Sequence, residues 1–376
     1  MSIIDRVLPA ARAHPPLLHA LLAYSGTLYA MAHGVASDMA SNQQAFAVEL
    51  LSQACPTEQQ ASTDEAMLAA TLLLLIYMAQ DNGFEVQKHV SGLIHLATLR
   101  GGLHYLGLGG LVSEVLTYAD AMQAILFNTE PVWRILLPPL EVGAPEVMGS
   151  GFRGMTNSTQ EIDLPLVMAA RSVCKVADIL ASAGECPSKP LPRKAKNGFS
   201  YLSMVALYQL ARCNATYHNT GTVDECVCLA LLLLNHVVLR SDGCVTPAIL
   251  RIEYRFWQAL EQAEHKGLLA GMAPRLYMWM CFMGTTVSVL LADRGRSQFW
   301  SVAVENLRRV RIKTGVVDWD SVRRDVLEVF CWVGAVQEET FKRVWIEVEG
   351  LKSVGLHVNG NALLPTTNLN LLPPAN

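Results

Sequence analysis

Apolar residues recur at helical spacing along most of the chain. Residues 84–100 show the pattern, with apolar side chains at positions 86, 90, 93, 94, 96, 97 and 99. Intervals of three and four residues place such side chains on one face of an α-helix. Short alternating runs closed by Asn-Gly or Asp-Gly, which would indicate β-hairpins, are rare. The pattern therefore predicts an all-α fold.

The same pattern predicts about twelve helices in one compact globular array. Their approximate ranges are 15–33, 38–55, 64–80, 84–100, 110–127, 164–183, 201–217, 223–240, 247–266, 274–291, 298–313 and 321–349. Prolines and glycines predict loops at 138–160 and 184–199, so we expect a hinge within 138–199. No fixed period repeats along the chain, which argues against a solenoid. We predict one domain over residues 1–357 and a flexible C-terminal tail over 358–376.

Composition supports a large apolar core and a reducing environment. Apolar residues make up 51% of the chain and charged residues 16%, against roughly 25% charged residues in a typical globular protein. The net charge of −4 gives no sign of a surface that grips a phosphate backbone. The nine cysteines are scattered, mostly within apolar stretches, and no secretory leader opens the sequence, so we expect free buried thiols.

One apolar segment leaves an alternative open. Residues 276–292 carry no charge between Arg275 and Asp293, and a membrane-spanning helix needs roughly 20 such residues. Gly284 and several hydroxyl side chains interrupt this run, which favours a buried central helix. Membrane association through this segment remains the alternative.

Sequence matches to catalytic or cofactor-binding motifs lack the neighbouring elements or the spacing that such sites require. Residues 149–154 match G-x-G-x-x-G by letter, but no strand precedes them and no helix follows, as a dinucleotide site requires. Histidine and cysteine pairs lack the spacing of zinc ligands, and no acidic cluster lies on one helical face. The sequence therefore predicts no enzyme, no metal and no cofactor, although a Cys–His dyad distant in sequence stays open.

One basic run suggests a nuclear import signal. Arg193, Lys194 and Lys196 lie close together in the predicted 184–199 loop. Short Lys/Arg-rich segments are typical of such signals. An ordinary solvated loop explains the run equally well.

The stretch from Asp64 to Phe127 resembles the regulatory region of fungal-specific transcription factors, the large domain that follows a binuclear zinc cluster. In that family a very apolar helix precedes a helix with a His-x-x-Gly pattern that ends in Arg-Gly-Gly, and a helix with an acidic residue follows. The matching residues are His89, Gly92, Arg100, Gly101, Gly102 and Asp120. Trp279 and Gly284 match the Leu-Trp-rich central helix of the family. Weaker likeness extends over most of residues 15–349.

We interpret these motif residues as structural residues. We expect Gly92 to let another helix approach closely, and Gly101 and Gly102 to end a helix. We expect His89 to be a hydrogen-bonded core residue and not a ligand. The motif therefore identifies a domain without marking an active site.

The resemblance implies a nuclear protein, also able to shuttle with the cytoplasm, that controls metabolic genes such as secondary-metabolite clusters. It further implies a protein partner or a homodimer, and some relatives sense a small hydrophobic ligand in a helical pocket. The sequence departs from the family because it has no six-cysteine array, so direct DNA contact is doubtful. The chain is then either a truncated or split product or a stand-alone regulator. Two other functions stay open: an interaction module that titrates a full-length relative, and an all-helical enzyme acting on a hydrophobic substrate.

Overall fold

A computed structural model describes residues 3–133, 152, 162–184, 193–235, 247–292, 297, 299–316, 318–327, 330 and 338–350. These residues contain fifteen α-helices and no strand, which confirms the predicted all-α fold class. The helices are α1 (Ile3–Ala13), α2 (Pro15–His33), α3 (Asp38–Ala54), α4 (Glu58–Ala61), α5 (Asp64–Ala79), α6 (Gly83–Leu99), α7 (Leu111–Phe127), α8 (Leu164–Gly184), α9 (Arg193–Tyr217), α10 (Val223–Leu233), α11 (Pro247–His265), α12 (Pro274–Ala292), α13 (Trp300–Thr314), α14 (Trp319–Val322) and α15 (Glu338–Gly350). Leu103–Tyr105 and Leu268–Ala270 form single 3-10 turns.

The helices belong to two compact units. The first is built from α1 to α7 and the second from α8 to α15, with the boundary crossing the ends of α7 and α11.

Helix α5 forms the core of the first unit. Its sequence is almost entirely apolar, and nearly every side chain from Ala66 to Met78 is buried. It packs against α2 and α6, while α1 and α3 pack against α2. Because a helix that is apolar on all sides must be covered on all sides, α5 organises the helices around it.

Helix α12 plays the same part in the second unit. It packs against α10, α13 and α15, and every side chain from Leu276 to Val289 is buried. Phe282 stacks on Phe341 of α15 with ring centroids 5.5 Å apart. This segment is therefore a central core helix, as its interrupted apolar run predicted. No helix in the described part of the chain is both long and apolar enough to cross a membrane.

Several helices differ from the predicted ones, and α4 is one that was not predicted. Helix α1 was not predicted, since Asp5, Arg6 and Pro9 break up its apolar pattern. The predicted final helix, 321–349, with an expected break near Gly334, corresponds to α14, a π-helical turn at Arg323–Leu327, and α15. Gly334 itself lies outside the described residues.

The predicted loop at 184–199 is wrong at its C-terminal end, because α9 begins at Arg193. Arg193, Lys194 and Lys196 therefore lie in the first turns of a helix. The prolines at 187, 190 and 192 predicted the loop, and the helix begins directly after the last of them. Their role as an import signal stays a prediction.

Several predictions fall outside the described residues. These are most of the 138–160 loop, residues 185–192 of the second loop, and the 358–376 tail. Phe152, within the 149–154 glycine segment, is described and is fully buried. Its backbone N–H donates to the Phe330 carbonyl oxygen at 3.0 Å.

Candidate functional site

Arg100 joins the end of α6 to the start of α5. Its guanidinium donates to the carbonyl oxygens of Ser62 at 2.6 Å and Tyr105 at 3.0 Å. It also lies 3.0 Å from Oδ1 of Asp64, which accepts the backbone N–H of Gly107 at 3.0 Å. A planar guanidinium can satisfy several acceptors at once. We call Arg100, Asp64 and their backbone partners the Arg100 clamp.

The glycines that follow Arg100 close the helix as expected. Gly101 and Gly102 have φ values of +85° and +106°, a region that favours glycine. Their N–H groups donate to the carbonyl oxygens of Thr98 at 2.9 Å and Ala97 at 2.8 Å. This pair of bonds is the Schellman arrangement, and it satisfies carbonyls that the helix end leaves open.

Asp120 is a buried carboxylate on α7. Its two oxygens accept the backbone N–H groups of Val132 at 3.0 Å and Trp133 at 2.9 Å. Burial raises the pKa of Asp120 to about 6, and the two backbone hydrogen bonds oppose this shift only in part. The side chain therefore fixes the segment at 130–133 to the first unit, and its charge is sensitive to pH near neutrality.

His89 and Gly92 differ from their expected roles. The His89 side chain is half-buried, with its ring centroid 5.0 Å from that of Tyr77 and its Nε2 4.0 Å from Glu85. Burial lowers the pKa of His89, and the nearby Glu85 opposes that shift. The expected close approach at Gly92 is wrong, because a Cβ there would meet no atom within 4 Å.

A close approach of this kind is found at Gly284, in the second unit. A Cβ on Gly284 would overlap the Phe256 ring of α11 and lie 3.0 Å from Cζ2 of Trp257. Trp279, one helical turn earlier on α12, is fully buried and packs edge-on against Phe152 at 5.2 Å. Both residues therefore serve the packing of the second core.

Sequence reasoning missed a buried ion pair in the second unit. Glu225 accepts the backbone N–H groups of Asn219 at 2.9 Å and Gly221 at 2.8 Å. Arg255 approaches the same carboxylate at 3.8 Å, while its Nε and Nη2 atoms make no hydrogen bond to any residue that the structure describes. The sequence feature that could have revealed this ion pair is a pair of charged residues inside largely buried helices. These contacts hold the turn at 219–221 to α10 and α11, which is a structural role.

A second buried network explains the hydroxyl groups of α12. Glu253 of α11 accepts hydrogen bonds from Ser288 at 2.5 Å and Ser297 at 2.7 Å. The indole Nε1 of Trp257 donates to the Ser288 oxygen at 3.3 Å. Burial raises the pKa of Glu253. Polar groups buried in an apolar environment need such partners, and these residues supply them to one another.

Metal and thiol chemistry find no support in the described residues. Among them, no three His, Cys, Asp or Glu side chains lie close enough together to hold a metal ion. Burial raises the pKa of Cys213 to about 12 and holds those of Cys228 and Cys281 well above the usual thiol value. Such thiols stay protonated, and the thiolate is the reactive form.

Comparison with known proteins identifies the first part of the chain. Residues 2–149 match a family model described as the fungal specific transcription factor domain. No curated protein and no solved structure matches the chain significantly. The matched region contains α1 to α7, and with them the Arg100 clamp and Asp120. Residues 2–149, less than half of the chain, are therefore similar to the fungal specific transcription factor domain.

Proposed function

We propose that this protein is a nuclear transcriptional regulator that controls metabolic genes, secondary-metabolite clusters among them, through contacts with other proteins. The domain match over residues 2–149 carries the proposal, since it supports a transcriptional regulatory role and a nuclear location. The same match favours a non-enzymatic regulator. The protein acts as a homodimer or with a protein partner, and a small hydrophobic ligand is a candidate effector.

Ion pairs in the second unit support the proposal that the protein acts without recognising DNA directly. A nucleic-acid surface needs basic side chains that are free to contact phosphates. Basic residues of α13 to α15 instead face neighbouring carboxylates. The pairs are Arg308 and Arg309 with Glu305, Arg311 with Glu349, and Arg323 and Lys342 with Glu338, at 3.1–3.9 Å.

A tethering assay tests the regulatory role. The full chain is fused to a heterologous DNA-binding domain and expressed in a fungal reporter strain with matching upstream sites. We expect reporter transcription to rise or fall against the DNA-binding domain alone. A Gly92→Ala fusion serves as the control, since that exposed position accepts a methyl group without contact. Unchanged transcription with a folded, nuclear fusion would overturn the proposal.

A gel-shift titration tests the proposal that the protein does not recognise DNA sequences directly. The purified chain is titrated against genomic fragments at two salt concentrations. We expect no discrimination between fragments, and any weak binding should vanish at the higher salt. Binding that discriminates between fragments at both salt concentrations would make the protein a direct regulator.

A further inference from the structure

Helices α2 and α3 pack through very small residues. A Cβ on Gly26 would lie only 2.9 Å from the Cβ of Ala40, so the two helices touch closely at that point. His19 of α2 and Gln43 of α3 are hydrogen-bonded at 2.6 Å, between Nδ1 and Oε1. In α3 the only buried side chains are the methyl groups of Ala40 and Ala47. Helix α3 therefore covers α2 without burying its own larger apolar residues.

Large apolar residues of both helices lie on the outer side of the seam between α2 and α3. Leu22 and Tyr29 of α2 are 48% and 63% exposed, and Met39 and Phe46 of α3 are 70% and 50% exposed. Each pair is seven residues apart, which places its members on one helical face. Because the helices run antiparallel about the Gly26–Ala40 contact, Leu22 and Phe46 lie within about one helical turn of the same level, as do Tyr29 and Met39. The ring of Phe46 lies 5.7 Å from that of His19. We call these four residues the outer seam.

The part of the sequence that carries the outer seam has acidic side chains but no lysine or arginine. Residues 13–87 contain no lysine and no arginine, but they contain seven acidic residues. Two of these, Asp38 and Glu49, are exposed on α3 itself. The nearest basic residues in sequence, Arg12 and Lys88, lie outside the α2–α3 pair. An apolar strip with acidic neighbours has a complementary partner, namely an apolar strip with basic neighbours.

We propose that the outer seam docks a basic amphipathic helix of a partner protein. The apolar face of that helix covers Leu22, Tyr29, Met39 and Phe46, and its lysines or arginines face Asp38 and Glu49. A second copy of this chain fits less well, because a two-fold pairing through the seam would set acidic side chains against acidic ones. The proposal rests on the proposed function, since it names the surface through which a regulator of this kind recruits its partner.

A designed peptide provides the probe for binding. It spans about four helical turns, carries leucines at three- and four-residue spacing and lysines elsewhere, and bears a fluorescent label. A second peptide of identical composition has its leucines redistributed so that no face is apolar. We expect fluorescence anisotropy with the full chain to show binding of the first peptide only, weakening as salt is raised. Equal binding of both peptides would overturn the proposal, since charge alone would then explain it.

Variants assign the binding to the seam. The double variant Met39→Ser/Phe46→Ser should weaken binding at least tenfold, and Glu49→Lys should weaken it while reducing its salt dependence. Phe84→Ser is the matched control, because Phe84 is 76% exposed on α6 and lies outside the seam. It should bind as the native chain does. Unchanged binding by the double variant, or an equal loss in the control, would contradict the assignment.

Two further measurements separate the alternatives. Sedimentation of the native chain and of the double variant tests self-association, and a dimer that the double variant abolishes would assign the seam to a second copy and overturn the partner proposal. The same double variant in the tethered reporter should lose regulation. If the native fusion regulates and the double variant regulates equally well, the docking surface is wrong while the proposed function stands. If the native fusion is inactive but the peptide binds the seam, the function fails and the docking surface stands.

Discussion

Gly92 and Gly284 should respond in opposite directions to the same substitution. At Gly92 an alanine methyl group meets no neighbour, and the site is an exposed helix interior. Glycine in such a position costs roughly 0.5–1 kcal/mol relative to alanine. Gly92→Ala should therefore raise the free energy of unfolding of the first unit by about that amount.

At Gly284 the same methyl group would overlap the Phe256 ring and crowd Trp257. These rings are 0% and 2% exposed, so neither can move into solvent. Forcing an extra methyl group into a packed core costs about 1–3 kcal/mol, which outweighs the gain in helix propensity. With a urea slope of about 2 kcal/mol/M, a net loss of about 1–2 kcal/mol lowers the unfolding midpoint by about 0.5–1 M.

Urea unfolding followed by two signals separates the effects. Six of the seven tryptophans lie after Ile249, in the second unit, so their fluorescence reports Gly284→Ala. Far-UV circular dichroism reports both units. Shortening the facing ring with Phe256→Leu should partly rescue Gly284→Ala, so that the double variant is less destabilised than the sum of the singles. Similar shifts from the two glycine variants, or strict additivity with Phe256→Leu, would refute the packing argument.

Three other outcomes follow from the buried and clamped groups. The pKa of Asp120 is raised from 3.8 to about 6 in the folded state. The contribution of this raised pKa to the free energy of unfolding is therefore complete below pH 4 and is lost as the pH rises through 6. Relative to Asp120→Asn, the native chain should therefore lose up to about 3 kcal/mol between pH 4 and pH 7, and urea unfolding that gave a constant difference over that range would contradict this. Arg100→Lys should lower the free energy of unfolding by about 1–2 kcal/mol, since an ammonium cannot replace all three guanidinium contacts; circular dichroism with urea checks this, and a native midpoint would argue against the clamp. Cys213, Cys228 and Cys281 should resist iodoacetamide at pH 8 in the native chain and react in urea, and mass mapping that found them labelled without urea would show that the core is open.

Helix ends were predictable wherever the deciding chemistry is local. The Gly101-Gly102 pair marks the end of α6 because glycine adopts positive φ without strain. The start of α9 at Arg193 was missed because the prolines at 187, 190 and 192 predicted a loop that continued to residue 199. Proline favours a loop before a helix, but it does not fix the residue at which the helix begins.

The site residues show the same limit. Arg100 and Asp120 stood out in the sequence, but their partners did not. Asp64 lies far from Arg100 in sequence, and the groups that bind Asp120 are backbone N–H groups, which carry no sequence signature. The error at Gly92 has the same origin, because a helical glycine looks alike in sequence whether its missing side chain faces solvent or a neighbouring ring.

The lysine- and arginine-free span that surrounds the outer seam has a practical consequence for mapping its contacts. Trypsin cuts only after lysine and arginine, so it releases residues 13–88 as one very large and apolar peptide. Amine-reactive cross-linkers cannot attach within residues 13–87, and ubiquitin cannot be conjugated to a lysine there. Footprinting of the α2–α3 surface therefore calls for carboxylate-directed reagents and a protease that cuts after glutamate, with Glu49 and Glu58 as convenient sites.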